Sequence, residues 1–237
     1  MQNEIDALLA LKRPTTNRMT DAFGVHRDWG GSGWLPVSEY SPVHLGTADY
    51  SARTDPDIVA PGPGMVYGEM VDGPVGSCTS FRPRLSGGDI SKDILIYLIH
   101  CEPTVSRWAP VEEGEVITRN AGHGIGAPHL HFEVAVTPEL AKALQHQGLL
   151  SHHAVTREWL SFRARSSGLD DHRTMESVDA QLRRWGVTAL YHDAIVLRGP
   201  LPSYKRSRYS DVGRGLTWVI DLNAVQAAAG SGAQWAA

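Results

Sequence analysis

Histidine and glutamate alternate with apolar residues along the stretch Pro128-His129-Leu130-His131-Phe132-Glu133-Val134. Side chains of a β-strand point alternately to its two faces, so His129, His131 and Glu133 share one face. The intervening apolar residues share the other face, which we predict to be core. Zinc accepts imidazole nitrogen, and a strand holds two imidazoles at a fixed spacing. Taken alone, the pattern is more simply interpreted as two surface histidines on a half-buried strand than as part of a zinc site. The residues upstream decide between these two interpretations.

A second group with metal-binding side chains, His44 and Asp49, lies just before the apolar run that starts at Ile58. Gly46 permits a turn between them, so both side chains can converge on one cation. One carboxylate and two imidazoles make three protein ligands, which leaves a fourth position for water, as in catalytic zinc sites. The pattern therefore favours a catalytic zinc site over a structural one.

A further histidine, His100, ends the apolar run that begins at Ile94. A histidine at the end of a buried strand is most simply a hydrogen-bonded core residue. Imidazole titrates near neutrality, so a histidine beside a metal site can also exchange protons at working pH. His26 and His123 lie in glycine-bounded loops and are candidates for the rim of a groove.

Composition and charge exclude two classes of partner. The chain of 237 residues is 42% hydrophobic and 20% charged, which suits a soluble globular protein with a sizeable core. A net charge of -4 and a pI near 6.2 give no basic surface for nucleic acid. No apolar run is long enough to insert in a membrane, and the first residues lack the pattern of a signal peptide. Two cysteines, Cys78 and Cys101, are as consistent with buried free thiols as with one disulfide.

Residue patterns divide the chain into three segments. Apolar residues from Ile5 to Leu11 recur at helical spacing, which predicts a helical N-terminal arm over residues 1–17. Between residues 18 and 136, short apolar runs alternate with Gly and Pro and lack helical periodicity, which predicts an antiparallel β domain. Residues 137–237 show helical patterns followed by strand-like runs, which predicts an α+β C-terminal extension.

Within the C-terminal extension, the helix signals are clearest at its start. Thr137 is a candidate N-cap, Pro138 follows at the first helical position, and the helical pattern ends near Gly148. Further elements are predicted as helices at 155–165 and 175–185, as strands at 188–197 and 216–222, and as a mobile tail from Gly230.

Several of these stretches occur in an order and spacing that resembles the lysostaphin-type, LytM-like zinc endopeptidases. The stretches are Phe23 to Arg27, His44 to Asp49, Ala60-Pro61 with Gly64 to Val66, Tyr97 to His100, Gly114 to Ile117, and Gly126 to Glu133. The resemblance covers residues 18–136, about half the chain. It implies a mainly antiparallel β fold of the duplicated hybrid motif type with a long groove, and hydrolysis of peptide bonds in bacterial peptidoglycan.

The resemblance also implies roles for individual residues. His44, Asp49 and His131 match the zinc ligands, while His129 and His100 match the catalytic histidines that bind no metal. The family places three residues between its first His and Asp, and this sequence has four, from Leu45 to Ala48. A bulge near Gly46 could absorb the additional residue, since bulges re-aim side chains beside active sites. The alternative is that the additional residue misplaces the Asp49 carboxylate and lowers activity.

A mechanism follows from the implied zinc ion. Zinc-bound water loses a proton near neutral pH, and the metal polarises the scissile carbonyl. His129 and His100 would then supply a general base and a donor to the oxyanion, in an order that the sequence leaves open. Glu133, on the same strand face, would orient a ligand through a hydrogen bond, or it would be a solvated strand residue.

Two other functions stay open at this point. The chain could be a non-catalytic peptidase-like scaffold, a wall-binding module or a structural virion protein, and the additional residue between His44 and Asp49 supports that interpretation. The His44 to Asp49 stretch also resembles part of a D-Ala-D-Ala carboxypeptidase site. That site takes its last ligand from a Glu-x-x-His pattern, which is absent at Glu133.

Delivery and partners are inferred from the substrate. Peptidoglycan lies outside the cytoplasm and no export signal is visible, so we expect the protein to reach the wall in a phage particle or by lysis. The C-terminal extension is then expected to dock the peptidase to other phage tail or virion subunits, or to cap the groove. The alternative is that residues 137–237 complete the fold of one larger domain.

Overall fold

The computed structural model of the chain describes residues 1–17, 19–21, 25–27, 43–45, 48–51, 55–69, 78–120, 129–155, 183, 186–198 and 215–230. Its first strands are β1 (Met19–Asp21), β2 (Val25–Arg27), β3 (Val43–Leu45), β4 (Ala48–Ser51), β5 (Asp57–Val59), β6 (Gly64–Glu69), β7 (Cys78–Pro83) and β8 (Ile94–Ile99). The later strands are β9 (Cys101–Pro103), β10 (Pro110–Val111), β11 (Val116–Asn120), β12 (His129–Val136), β13 (Val187–Leu190), β14 (Ala194–Leu197) and β15 (Trp218–Ile220). The helices in the described part of the chain are α1 (Gln2–Ala10), α2 (Pro138–His146) and α3 (Leu222–Ala228).

A single antiparallel sheet organises the molecule around β12. Along one edge β12 pairs with β8, which continues through β7 and β6 to the short β10. Along its other edge β12 pairs with β4 at its beginning and with β15 at its end. The predicted fold class, mainly antiparallel β with an α+β C-terminal extension, is confirmed by these pairings.

The described residues form two smaller sheets besides this one. One consists of β5, β11 and β9, and a hydrogen bond of 3.0 Å from the Thr79 hydroxyl to the Thr118 hydroxyl joins it to β7. The other consists of β2 and β3 alone. Thr79 lies opposite Leu98, which lies opposite Phe132, so Thr79 is on the Phe132 face of the main sheet. The three-stranded sheet therefore lies against the face opposite to the histidines.

The apolar face of β12 is core, as predicted. Leu130 and Val134 are buried, Phe132 is 5% exposed, and the Phe132 ring meets the Tyr50 ring edge to face with centroids 6.3 Å apart. The opposite face is buried as well, since His131 is 4% exposed and Glu133 is 1% exposed. Both faces of β12 are therefore covered from His131 onward, which argues against the alternative of two surface histidines on a half-buried strand.

The predicted N-terminal helix and the helix that follows Thr137 are both confirmed. α1 buries Ile5 and Leu8 in the core, and α2 begins at Pro138 with the Thr137 hydroxyl accepting the Leu140 amide. After the end of α2 the chain turns at Gly148, whose φ of +71° is favourable for glycine. No described helix is long and apolar enough to cross a membrane.

The C-terminal strands continue the main sheet. The run predicted as one strand at 188–197 is a hairpin of β13 and β14, because Asp193 and its neighbours turn the chain. The strand predicted at 216–222 is shorter: β15 ends at Ile220, and Asp221 caps a helix that the sequence analysis missed. The helices predicted at 155–165 and 175–185 lie almost wholly outside the described residues, as does the tail beyond Gly230.

Both cysteines are buried free thiols, one of the two alternatives that the sequence left open. Cys78 begins β7 and Cys101 begins β9. Burial raises the pKa of the Cys101 thiol to about 12, so it is protonated at physiological pH.

Candidate metal centre

The first half of β12 carries two of the predicted site residues, His129 and His131, and pairs with the strand that carries a third, Asp49. His131 lies directly opposite Asp49 of β4, and His129 lies opposite Ser51 of the same strand. Residues that oppose each other in an antiparallel pair lie about 4.5–5.5 Å apart and belong to the same sheet face. The register therefore puts position 49 on the sheet face that carries both histidines.

A second carboxylate residue, which the sequence analysis did not select, occupies the next position in this row. Asp21 of β1 lies opposite Asp49, beside an irregularity in the β1–β4 register. Asp21, Asp49 and His131 therefore occupy one row across the neighbouring strands β1, β4 and β12.

His44 lies on β3, in the two-stranded sheet, and its register partner is His26 of β2. His44 and Asp49 are therefore on different strands, joined by residues that lie outside the described part of the chain. The bulge predicted near Gly46 also falls there, and so does His123. The pairing of His26 with His44 associates a predicted rim residue with a predicted ligand, a relationship that the spacing of the two in the sequence does not reveal.

His100 is held in an unusual backbone conformation. It connects β8 to β9 with a φ of +68°, a left-handed value that costs a residue with a side chain about 1–3 kcal/mol. This conformation brings its ring to within 4.6 Å of the His129 ring and 6.0 Å of the His131 ring, measured between centroids. The structure thus brings together the three histidines that the sequence analysis selected at the end of β8 and on β12, namely His100, His129 and His131.

The environments of these histidines differ. His131 and His100 are buried, with 4% and 7% exposure, while His129 is half-buried at the start of β12. Nε2 of His131 lies 3.8 Å from Oε2 of Glu133, which is ion-pair range and longer than a hydrogen bond. Glu133 is 1% exposed, so of the two roles considered for it the structure rules out a solvated strand residue.

A buried asparagine also contacts this group. The Asn120 side-chain amide, at the end of β11, donates a hydrogen bond to the main-chain carbonyl of His129. The sequence analysis missed this residue because nothing in the local pattern of β11 distinguishes it. Only the packing of β11 against β12 shows the contact.

The donor set suits zinc by its chemistry: two imidazoles and one carboxylate are ligand types that zinc prefers. Among the described side chains no group of three His, Cys, Asp or Glu residues surrounds a common point. The assignment of Asp49 and His44 as zinc ligands therefore rests on where their strands place them. Position 49 lies directly opposite His131.

Comparison with solved structures finds peptidases of one kind. The chain is similar to the catalytic domain of lysostaphin from Staphylococcus simulans, with 19% identity over 51% of this chain and 80% of that one, at a TM-score of 0.37. It is similar to the catalytic domain of a mutant of the prophage-encoded M23 protein EnpA from Enterococcus faecalis, with 18% identity over 54% of this chain and 87% of that one, at a TM-score of 0.38.

A third similar structure is a zinc-containing peptidase from Vibrio cholerae, with 21% identity and a TM-score of 0.38. The alignment covers 54% of this chain and 37% of the Vibrio protein. No family model and no curated protein matches the sequence. All three TM-scores are below 0.5.

Proposed function

We propose that the protein is a zinc-dependent endopeptidase that hydrolyses peptide bonds of bacterial peptidoglycan. The observation that carries this proposal is the register of β4 and β12, in which Asp49 lies opposite His131. His129 and His100 lie beside this pair, with rings 4.6 Å apart. A carboxylate residue and an imidazole in register, next to two further imidazoles, supply groups suited to metal binding and to proton transfer in amide hydrolysis.

His44, Asp49 and His131 would hold the zinc ion. Bound there, zinc would act as a Lewis acid on the scissile carbonyl and lower the pKa of a water molecule. Glu133 would orient His131 from behind, since its carboxylate lies 3.8 Å from Nε2 of that ring.

His129 and His100 would carry the proton transfers. His129 is half-buried and can reach both a substrate and solvent, so we assign it the role of general base. His100 is buried and fixed by its backbone, so we assign it the role of a hydrogen-bond donor to the oxyanion. Low exposure favours such a donor because electrostatic stabilisation is stronger where water is excluded.

The substrate is proposed from the sequence resemblance to lysostaphin-type endopeptidases, whose substrate is the peptide part of peptidoglycan. Delivery of the protein in a phage particle, and docking of its C-terminal extension to other virion subunits, stay predictions. Mass spectrometry of purified virions tests both, since the polypeptide and its cross-linked neighbours would be detected there.

One experiment tests metal, activity and bond together. The purified chain and its Asp49→Ala variant are analysed for zinc and then incubated with peptidoglycan, and the released fragments are identified by mass. We expect about one zinc per wild-type chain, fragments cut at a peptide bond, and loss of both in the variant.

Two outcomes would contradict the proposal. A wild-type chain that binds zinc but releases no fragments would support the non-catalytic scaffold, for which the four residues between His44 and Asp49 are the sequence argument. A wild-type chain without zinc, or an Asp49→Ala variant that keeps its zinc, would remove the proposed ligand set. The same digest of a matched variant at an exposed aspartate, Asp89→Ala, controls for general loss of fold.

A further inference from the structure

Asn120 is anchored by its main chain in a different sheet from the histidines. It is the last residue of β11, where it lies opposite Cys101 of β9. Its main-chain N–H donates a hydrogen bond of 2.8 Å to the Pro56 carbonyl. The residue is 7% exposed. Its backbone is therefore held independently of β12, so its side chain can serve as a fixed reference point for that strand.

Asn120 contacts both chain segments that carry the proposed catalytic histidines. Its side-chain amide nitrogen donates to the main-chain carbonyl of His129, the first residue of β12. Its main chain lies opposite Cys101 of β9, the residue that directly follows His100.

Both segments need such support. His129 is the first residue of β12, and the hydrogen bond from Asn120 fixes its main chain on the side of the three-stranded sheet. His100 has a left-handed φ of +68°, which persists only where the surroundings hold it. The Cys101 thiol donates a hydrogen bond of 3.5 Å to the Ile99 carbonyl, so it connects the residues on either side of His100.

From these contacts we propose that Asn120 is a positioning residue that sets the distance and angle between the His100 and His129 rings. It touches neither substrate nor metal in this proposal, and it acts through the backbones of the two histidines. The inference rests on the proposed function, since the two rings are those assigned to proton transfer. Their centroid distance of 4.6 Å and interplanar angle of 61° are the geometry that Asn120 would maintain.

A purely structural role predicts something different. A buried asparagine that only satisfies a carbonyl would, when replaced, lower the free energy of unfolding and leave the turnover of each folded molecule unchanged. A positioning role predicts a lower kcat at unchanged KM and zinc content, because small displacements of catalytic groups are costly. The split between kcat and KM therefore separates the two roles.

The test uses Asn120→Asp and Asn120→Ala in the full chain loaded with zinc. An ionised aspartate keeps the shape of asparagine but cannot donate to the His129 carbonyl. Thr118→Val is the matched control, since Thr118 is a buried β11 residue whose hydroxyl donates a 2.6 Å bond to the Glu102 carbonyl, away from the histidines. The readouts are zinc content, kcat and KM per folded molecule, and the NMR signals of the histidine rings.

We expect both Asn120 variants to lose kcat by on the order of tenfold to a hundredfold, with zinc content and KM unchanged. The ring signals of His100 and His129 should shift, whereas Thr118→Val should lose stability only. Wild-type kcat in Asn120→Asp, or unfolding of both Asn120 variants, would overturn the proposal. An inactive wild-type chain would instead overturn the proposed function, so the two failures are distinguishable.

Discussion

The ring of His100 meets the ring of His129 at an interplanar angle of 61° with centroids 4.6 Å apart. The two residues reach this contact from separate parts of the chain, His100 from the left-handed junction of β8 and β9 and His129 from the first position of β12. His131, two positions further along β12, lies opposite position 49 instead. The strand therefore places one histidine opposite position 49 and the other beside a second histidine.

This division of β12 predicts different effects for its two histidines. His131→Ala should lose both zinc and activity, because it removes one of three proposed protein ligands. His129→Ala should lose activity and keep its zinc, because His129 faces His100. Zinc analysis of the purified variants and a peptidoglycan digest measure both effects.

The control for these variants is His152→Ala, which changes an exposed histidine after α2. It should keep zinc and activity at wild-type levels. Release of the metal by His129→Ala would reverse the assignment of the two histidines. Retention of the metal by His131→Ala would exclude His131 as a ligand.

Phe132→Ala tests the orientation of β12. Phe132 is 5% exposed and packs against Tyr50, so truncation should lower the free energy of unfolding by about 3–5 kcal/mol. Urea denaturation measures this value. Val116→Ala, at a position that is 37% exposed, is the apolar control and should cost little. A cost below about 1 kcal/mol for Phe132→Ala would place that side chain outside the core.

Glu4 gives a prediction about pH. It is 6% exposed in the first turn of α1, where its carboxylate accepts a hydrogen bond from the Ser91 hydroxyl, and burial raises its pKa. The folded chain thus binds more protons than the unfolded chain as pH rises above the ordinary value of 4.5, so stability falls through that window up to the raised pKa. Glu4→Gln removes this charge and should weaken the fall.

Unfolding free energies of Glu4→Gln and wild type should therefore be compared at about pH 4 and about pH 7. The variant should gain stability relative to wild type at the higher pH. Glu139→Gln makes the same change in the first turn of α2 at an exposed position, which controls for the helix dipole. Identical pH profiles for Glu4→Gln and wild type would show that burial of this carboxylate has no energetic consequence.

Truncation after residue 137 tests the role of the C-terminal extension. β15 pairs with β12 from Val134 to Val136, and the Gln226 amide donates to the main-chain carbonyls of Leu9 and Leu11. Removing these contacts exposes one edge of β12 and part of the core, so we expect an insoluble or unfolded fragment. Solubility and circular dichroism measure the outcome. A soluble fragment that still digests peptidoglycan would support the docking or groove-capping role instead.

The sequence alone determined the strand that carries the chemistry. The alternation from His129 to Val134 predicted which residues are core, and Leu130, Phe132 and Val134 are buried as predicted. The caps and turn residues likewise predicted α2, because Thr137 and Pro138 act on their immediate neighbours. These features follow from local periodicity and local hydrogen bonding, which depend only on residues close together in the sequence.

Only the tertiary structure decided which distant residues lie beside that strand. The pairing of position 49 with His131, of Asp21 with position 49, and of His26 with His44 depends on strand register, which is set by long-range packing. Burial of the histidine face and the contact of Asn120 with His129 depend on how separate strands and sheets meet. The spacing of residues along one strand predicts neither the register nor these contacts, because the partner residues come from segments far apart in the chain.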